Sequence, residues 1–89
     1  MLVTLNQADL QKNDVTEAEV DQVISSDATI ECDLPPSRKG NDRTMLIGFT
    51  LSGRLLELGI EFLPDALYVF HASDAIKQHR AEFARRIKT

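Results

Sequence analysis

Five side chains in this 89-residue sequence could move protons or hold phosphate: His71, His79, Arg43, Arg54 and Arg80. Imidazole titrates near neutral pH, so a histidine can take a proton from one oxygen and return it to another. A guanidinium presents a planar fork of donors that grips a phosphate in two places. Together these groups could support phosphodiester chemistry without a metal. His71 closes an apolar run, ALYVFHA, and His79 lies two turns into the helix expected after it, so the two could converge. Each histidine has a structural alternative as a satisfied internal group. Arg54 follows a Ser-Gly turn, where pairing with an acid or bracing the hairpin is the alternative to catalysis. There is no glycine-rich phosphate loop, no His/Cys metal spacing and no G-x-S-x-G elbow, so neither a metal nor a cofactor is expected.

The elements that must position these groups are readable from period and punctuation. Residues 43–62, RTMLIGFTLSGRLLELGIEF, read as two strands about a Ser-Gly turn. Met45, Ile47 and Phe49 alternate on one strand, and Leu56, Leu58, Ile60 and Phe62 on the other, which predicts one buried face. The opposite face would hold Thr44, Leu46, Gly48 and Thr50 with Leu55, Glu57, Gly59 and Glu61. Its two glycines imply close approach of another backbone, either the C-terminal helix or a ligand on a shallow surface.

Upstream, residues 4–13 read as a short helix with Thr4 at its cap and Leu5 and Leu10 inward. Asp14 separates it from a second helix, where Thr16 and Glu19 form a capping box ahead of Val20, Val23 and Ile24. ATIECD (28–33) alternates as a strand. LPPSRKGND (34–42) is a loop that carries Arg38 and Lys39 and delivers Arg43 to the next strand. These three cations are the candidate phosphate contacts. Pro64-Asp65 fits a type I turn into the strand ALYVFHA, which is apolar on both sides and so belongs inside the sheet. Ser73 or Asp74 then caps a last helix whose inward stripe is Ile76, Phe83 and Ile87 with His79 or Arg80 between them, and Lys77, Arg85, Arg86 and Lys88 fall largely outside that stripe. The order α-α-β-β-β-β-α predicts one small α+β domain over residues 1–89, an antiparallel meander with helices packed on it.

Charge is segregated along the chain. Residues 1–36 carry eight acids against Lys12, a net −7, and residues 37–89 carry nine Lys or Arg against six acids, a net +3, giving −4 overall. Such asymmetry sets an acidic surface beside a basic one, where RNA or a charged protein could dock. The lone Cys32 excludes an internal disulfide and fits a reducing cytoplasm. No apolar run approaches the ~20 residues of a membrane span, and MLVTLNQADL turns polar too early for a signal peptide.

Three segments carry a family resemblance. ADLQKNDVTEAEVDQVI (8–24) is similar to a helix pair that typically reads A-N-L-x-K-H-G-V-s-F-x-E-A. LIGFTLSGRLL (46–56) is similar to an i-G-x-T-x-x-G-R-L-L hairpin, and VFHASDAIKQHRAEF (69–83) to a closing strand and helix, I-I-S-A-R-x-A-T-x-x-E-R-x-x-Y. On these motifs the chain resembles the BrnT-type ribonuclease toxins of bacterial toxin–antitoxin pairs, related in fold to the RelE toxins. The resemblance implies metal-independent mRNA cleavage in the cytoplasm and a small antitoxin protein as partner, and a homodimer is compatible with it.

The chain departs from the pattern at polar positions. Lys12-Asn13-Asp14 replaces K-H-G, His71-Ala72-Ser73 replaces S-A-R, Phe83 replaces the Tyr, His79 replaces the Glu before the retained Arg80, and Glu57 stands where the family prefers an apolar residue. With one imidazole and one guanidinium lost, the expectation is weak or lost cleavage that rests on His71, Arg80 and Arg54, with Arg38, Lys39 and Arg43 contacting RNA. The alternative is a non-catalytic module that binds protein or nucleic acid on the same scaffold.

Overall fold

The computed structural model describes residues 2–87, so Lys88 lies outside the described residues. Its elements run β1 (Leu2–Leu5), α1 (Gln7–Lys12), α2 (Glu17–Ile24), β2 (Ile30–Leu34), β3 (Arg43–Phe49), β4 (Leu55–Leu63), β5 (Ala66–Asp74) and α3 (Lys77–Ile87). The α+β class is as expected, with one addition at the N-terminus. Residues 2–5 form a strand, and α1 starts after Asn6, whose side chain accepts from the Asp9 N–H. Val3 and Thr4 are β-branched and favour extended backbone, while asparagine caps a helix better than a residue already committed to a strand. β1 pairs parallel with β5, Leu2 opposite Ala66 through Leu5 opposite Val69. The sheet order is therefore β1-β5-β4-β3-β2, a mixed sheet rather than a pure meander, with β5 inside it.

Asp14 ends α1 in a left-handed conformation, φ 55°. The Thr16–Glu19 capping box opens α2 as the sequence predicts, with both reciprocal hydrogen bonds formed.

The β3–β4 hairpin corrects the expected faces. A two-residue Ser52-Gly53 turn would set Phe49 opposite Leu56. Instead Leu51–Gly53 form a three-residue loop, closed by hydrogen bonds from Thr50 N to Arg54 O (2.9 Å) and from Gly53 N to Thr50 O (3.0 Å). Gly53 sits at φ 88°, the left-handed glycine that three-residue hairpin loops require. Phe49 therefore pairs with Leu55, Ile47 with Glu57 and Met45 with Gly59. One residue of slip turns every side chain of a strand over.

Both faces of the hairpin are consequently apolar and covered. Leu56, Leu58 and Ile60 pack against Leu10, Val15, Val20 and Val23 beneath α1 and α2. Phe62, two residues further along β4, is 42% exposed and outside this cluster, contrary to expectation. Met45 and Ile47 form a second cluster on the other face with Ile30, Ala75 and Phe83 under α3. Phe83 meets Phe49 edge-on at 5.3 Å between ring centroids.

The two strand glycines also lie on opposite faces, and neither is there to admit α3. A Cβ on Gly48 would come within 2.7 Å of the Thr29 methyl and 3.3 Å of Val23, so this glycine seats α2 and the chain after it. A Cβ on Gly59 would come within 2.6 Å of the Phe70 ring.

β5 contains an irregularity that decides where His71 points. Gly59 pairs with His71 but Ile60 pairs with Val69, leaving Phe70 as an extra residue. Val69 and Ala72 thus both enter the α1–α2 core, while His71 and Ser73 lie opposite Gly59 and Glu57, on the α3 face. β5 runs on through Asp74, so neither Ser73 nor Asp74 caps α3, and α3 begins only at Lys77. Phe83 and His79 of the expected stripe do face inward, and its two ends do not. Ile76 and Ile87 are exposed, and the inward residues are Ala75, His79 and Phe83.

Candidate functional site

Two side-chain networks and one open surface hold the candidate residues other than Arg80. The first network centres on Glu57, which the register places under the start of α3 at 4% exposure. Its Oε1 accepts from the Ile76 N–H (2.8 Å) and lies 2.7 Å from His79 Nδ1, while Oε2 lies 3.2 Å from His71 Nε2. The one carboxylate is thus within hydrogen-bond distance of both imidazoles and of a backbone N–H at the start of α3. The other ring nitrogen of His71, Nδ1, is 3.3 Å from Asp9 Oδ2. That same oxygen accepts from the Ala72 N–H at 2.7 Å and from Asn13 Nδ2 at 3.2 Å. Ser73 Oγ sits 3.0 Å from His71 Nε2 and donates to the Asp74 carbonyl. His71 and His79 do converge, but on a shared carboxylate rather than on an open substrate site.

The second network centres on Arg54. Its guanidinium donates to Asp74 (2.7 Å), to both carboxylate oxygens of Glu19 (3.2 and 3.3 Å) and to the carbonyls of Asp14 (2.7 Å) and Asn13 (3.1 Å). The turn after Gly53 aims this side chain back at the α1–α2 junction, where helix-end carbonyls need donors. The hydrogen bond that Arg54 donates to Asp74 raises the Arg54 pKa further above its ordinary value. Asp74 is correspondingly lowered, chiefly by Arg54. Glu19 is lowered first by the Thr16 backbone N–H of the capping box and then by Arg54. Nε and both terminal nitrogens each have an internal partner, which is the bracing arrangement that the sequence left open for Arg54 beside catalysis.

The third region is the half of the α3-side face that α3 leaves uncovered. Arg43, Glu61 and Tyr68 form one row across β3, β4 and β5, since Arg43 pairs with Glu61 and Glu61 with Tyr68. The Arg43 guanidinium carbon stands 5.3 Å from the centroid of the Phe70 ring, and its Nε donates to the Pro35 carbonyl at 2.8 Å. Arg38 and Lys39 are exposed in the loop beside this row. With Ser37, Glu61, Leu63 and Tyr68 they line a depression of about 350 Å³. The Glu61 carboxyl is held below its usual range, first by the Asn41 side chain (2.8 Å), then by Ser37, Arg43 and Lys39. Arg80 is exposed on α3, close enough to Asp74 to help lower it.

The structure thus gathers Arg38, Lys39 and Arg43 on one surface, with His71 on the same sheet face next to it. Arg54 and Arg80 lie elsewhere, around Asp74. Sequence reasoning missed Asp9, Glu57 and Glu61. For Glu57 a signal existed: a charged residue between leucines in a buried strand needs internal partners. Glu61 had no such signal, because its importance depends on the loop folding back over it. Among the described residues, no group of three or more His, Cys, Asp or Glu side chains is placed to hold a metal ion. No helix among them is long and apolar enough to cross a membrane. No protein-family model matches the chain, and no curated protein matches it.

Proposed function

We propose that this chain is a divergent homologue of the BrnT-type ribonuclease toxins that binds RNA on the uncovered half of its α3-side face and cleaves it weakly or not at all. The observation that carries this reading is the surface made by Arg43, Glu61 and Tyr68 with Phe70, Arg38 and Lys39. It combines cations for phosphates with one aromatic ring, Tyr68, on which a base can stack, the two components of single-strand binding. His71 follows directly along β5 as the nearest proton-transfer group. Weak or absent cleavage fits the engagement of Arg54, because preorganised donors facing the phosphate supply the largest share of such catalysis. A small antitoxin protein would be the partner of a toxin of this kind.

A second reading, a non-catalytic binding module on the same scaffold, is favoured by one specific observation. Both ring nitrogens of His71 face carboxylates, Asp9 and Glu57, which leaves neither free as a base. The two readings separate by experiment. Under induced expression, growth arrest with loss of total RNA that disappears in His71→Ala marks the ribonuclease. Unaffected growth together with RNA binding marks the module. In either case RNA affinity should fall steeply with added salt, because each phosphate contact releases counterions. Reversing Arg38 and Lys39 together to Glu should weaken RNA of any sequence by at least about tenfold at low salt. Unchanged affinity in that double variant would remove the surface from consideration.

A further inference from the structure

Resting on the RNA-binding reading, we infer that the depression lined by Ser37, Arg38, Lys39, Glu61, Leu63 and Tyr68 is a recognition site for a guanine base in single-stranded RNA. At about 350 Å³ it has room for one nucleotide, and its lining pairs one carboxylate with an aromatic ring and two cations. Glu61 and Tyr68 are direct cross-strand partners, so carboxylate and ring stand side by side on one sheet face. A base stacked on Tyr68 would turn its hydrogen-bonding edge toward Glu61.

The carboxylate decides which base fits. Glu61 is held in position by Asn41 Nδ2 at 2.8 Å and by the Ser37 side chain, and it is kept ionised by these donors and by Arg43 and Lys39. An ionised carboxylate only accepts, and its two oxygens offer about four lone-pair sites, so Asn41 and Ser37 leave room for two more donors. Guanine alone among the common RNA bases presents two parallel donors on its Watson–Crick edge, the N1 hydrogen and the 2-amino group. Adenine places a ring-nitrogen acceptor there, and the pyrimidines offer a single donor beside an acceptor. Opposite Glu61 these bases set lone pair against lone pair. Arg38 and Lys39, on the rim of the same depression, are placed for the phosphates of that nucleotide. Strand rise puts Gly59, the partner of His71, only about 7 Å along β4 from Glu61. A guanine bound here would therefore bring its neighbouring phosphodiester toward Arg43 and His71.

The test compares three RNA pentamers, AAGAA, AAIAA with inosine at the centre and AAAAA, and guanosine 5′-monophosphate, each titrated against the full chain at low salt. AAGAA should bind on the order of tenfold more tightly than AAAAA, with inosine between them because it keeps the N1 hydrogen but lacks the 2-amino group. Glu61→Gln, a near-isosteric change at a partly exposed position, should abolish the preference while AAAAA binding persists. Equal affinities for AAGAA and AAAAA, both lost in the Arg38→Glu/Lys39→Glu double variant, would overturn guanine recognition and leave RNA binding intact. Absence of binding by every pentamer would overturn the RNA reading and this assignment together. A monophosphate that binds as tightly as AAGAA would move the source of the base from RNA to free nucleotide, and so overturn the RNA half of the assignment.

Discussion

The Arg54 and Glu57 networks are built from the same kinds of group and behave as opposites. Each joins a carboxylate-bearing cluster to the ends of helices across the sheet. Arg54 ties the α1–α2 junction to β5 with a cation that never loses its proton, and its acceptors are partly exposed. Glu57 ties the start of α3 to β5 through the imidazoles of His79 and His71, and the carboxylate itself is buried. The contrast teaches that what surrounds a charge decides whether it can be spared. An exposed acceptor can turn to water, whereas a buried one must keep its donors or be removed with them.

The largest effect should come from Glu57→Ala. It strands the Ile76 N–H and leaves His71 and His79 without their common acceptor, and the expected loss is about 3–5 kcal/mol of unfolding free energy by urea denaturation. Arg54→Ala should cost less, about 1–3 kcal/mol, since water can reach the carboxylates of Asp74 and Glu19. If Arg54→Ala turned out the more damaging, the contrast between the networks would be reversed. Arg54→Lys should restore little, because an ammonium cannot span two carbonyls and two carboxylates at once.

The smallest effect is in the pH dependence of the Arg54 network. Asp74 and Glu19 both titrate lower in the folded chain than in the unfolded one. Their contribution is therefore complete above the ordinary carboxylate range near about pH 4 and is lost as pH falls through and below it. The difference in melting temperature between wild type and Arg54→Ala should accordingly narrow as pH falls from about 5 towards 3. A gap that widened on acidification would contradict the assigned direction. Asp74 is 71% exposed at its side chain, so the narrowing should be modest.

The sequence made the elements legible where a local signal was sufficient. The Thr16–Glu19 box, the Asp14 break, the Pro64-Asp65 turn and the interior place of β5 all follow from short-range chemistry. What it hid was parity. Met45, Ile47 and Phe49 alternate, and so do Leu56, Leu58 and Ile60, but alternation within each strand says nothing about which face it shares with its neighbour. With helices on both sides of the sheet, either register buries apolar residues, so only the extra residue in the Leu51–Gly53 loop decides between them. The additional residue at Phe70 is invisible for the same reason. The candidate site inherited these gaps. Arg38, Lys39 and Arg43 were close in sequence and stayed together. Glu57 and Glu61 acquired their roles only through strand pairing and the fold-back of the loop.

β1 carries a consequence for how the chain reaches this state. Its hydrogen-bonded partner in the sheet is β5, reached through pairs such as Leu2 with Ala66, across most of the chain's length. On the ribosome, residues 2–5 emerge before every other element described here, yet nothing they pair with exists until β5 has been made. Long-range pairing of this sort forms slowly, because closing the intervening loop costs entropy before any contact repays it. The hairpin of β3 and β4 can form from neighbours alone. The N-terminal strand must instead wait, with Val3 and Leu5 not yet packed on the core, and until then it is open to capture by a chaperone or by another nascent chain.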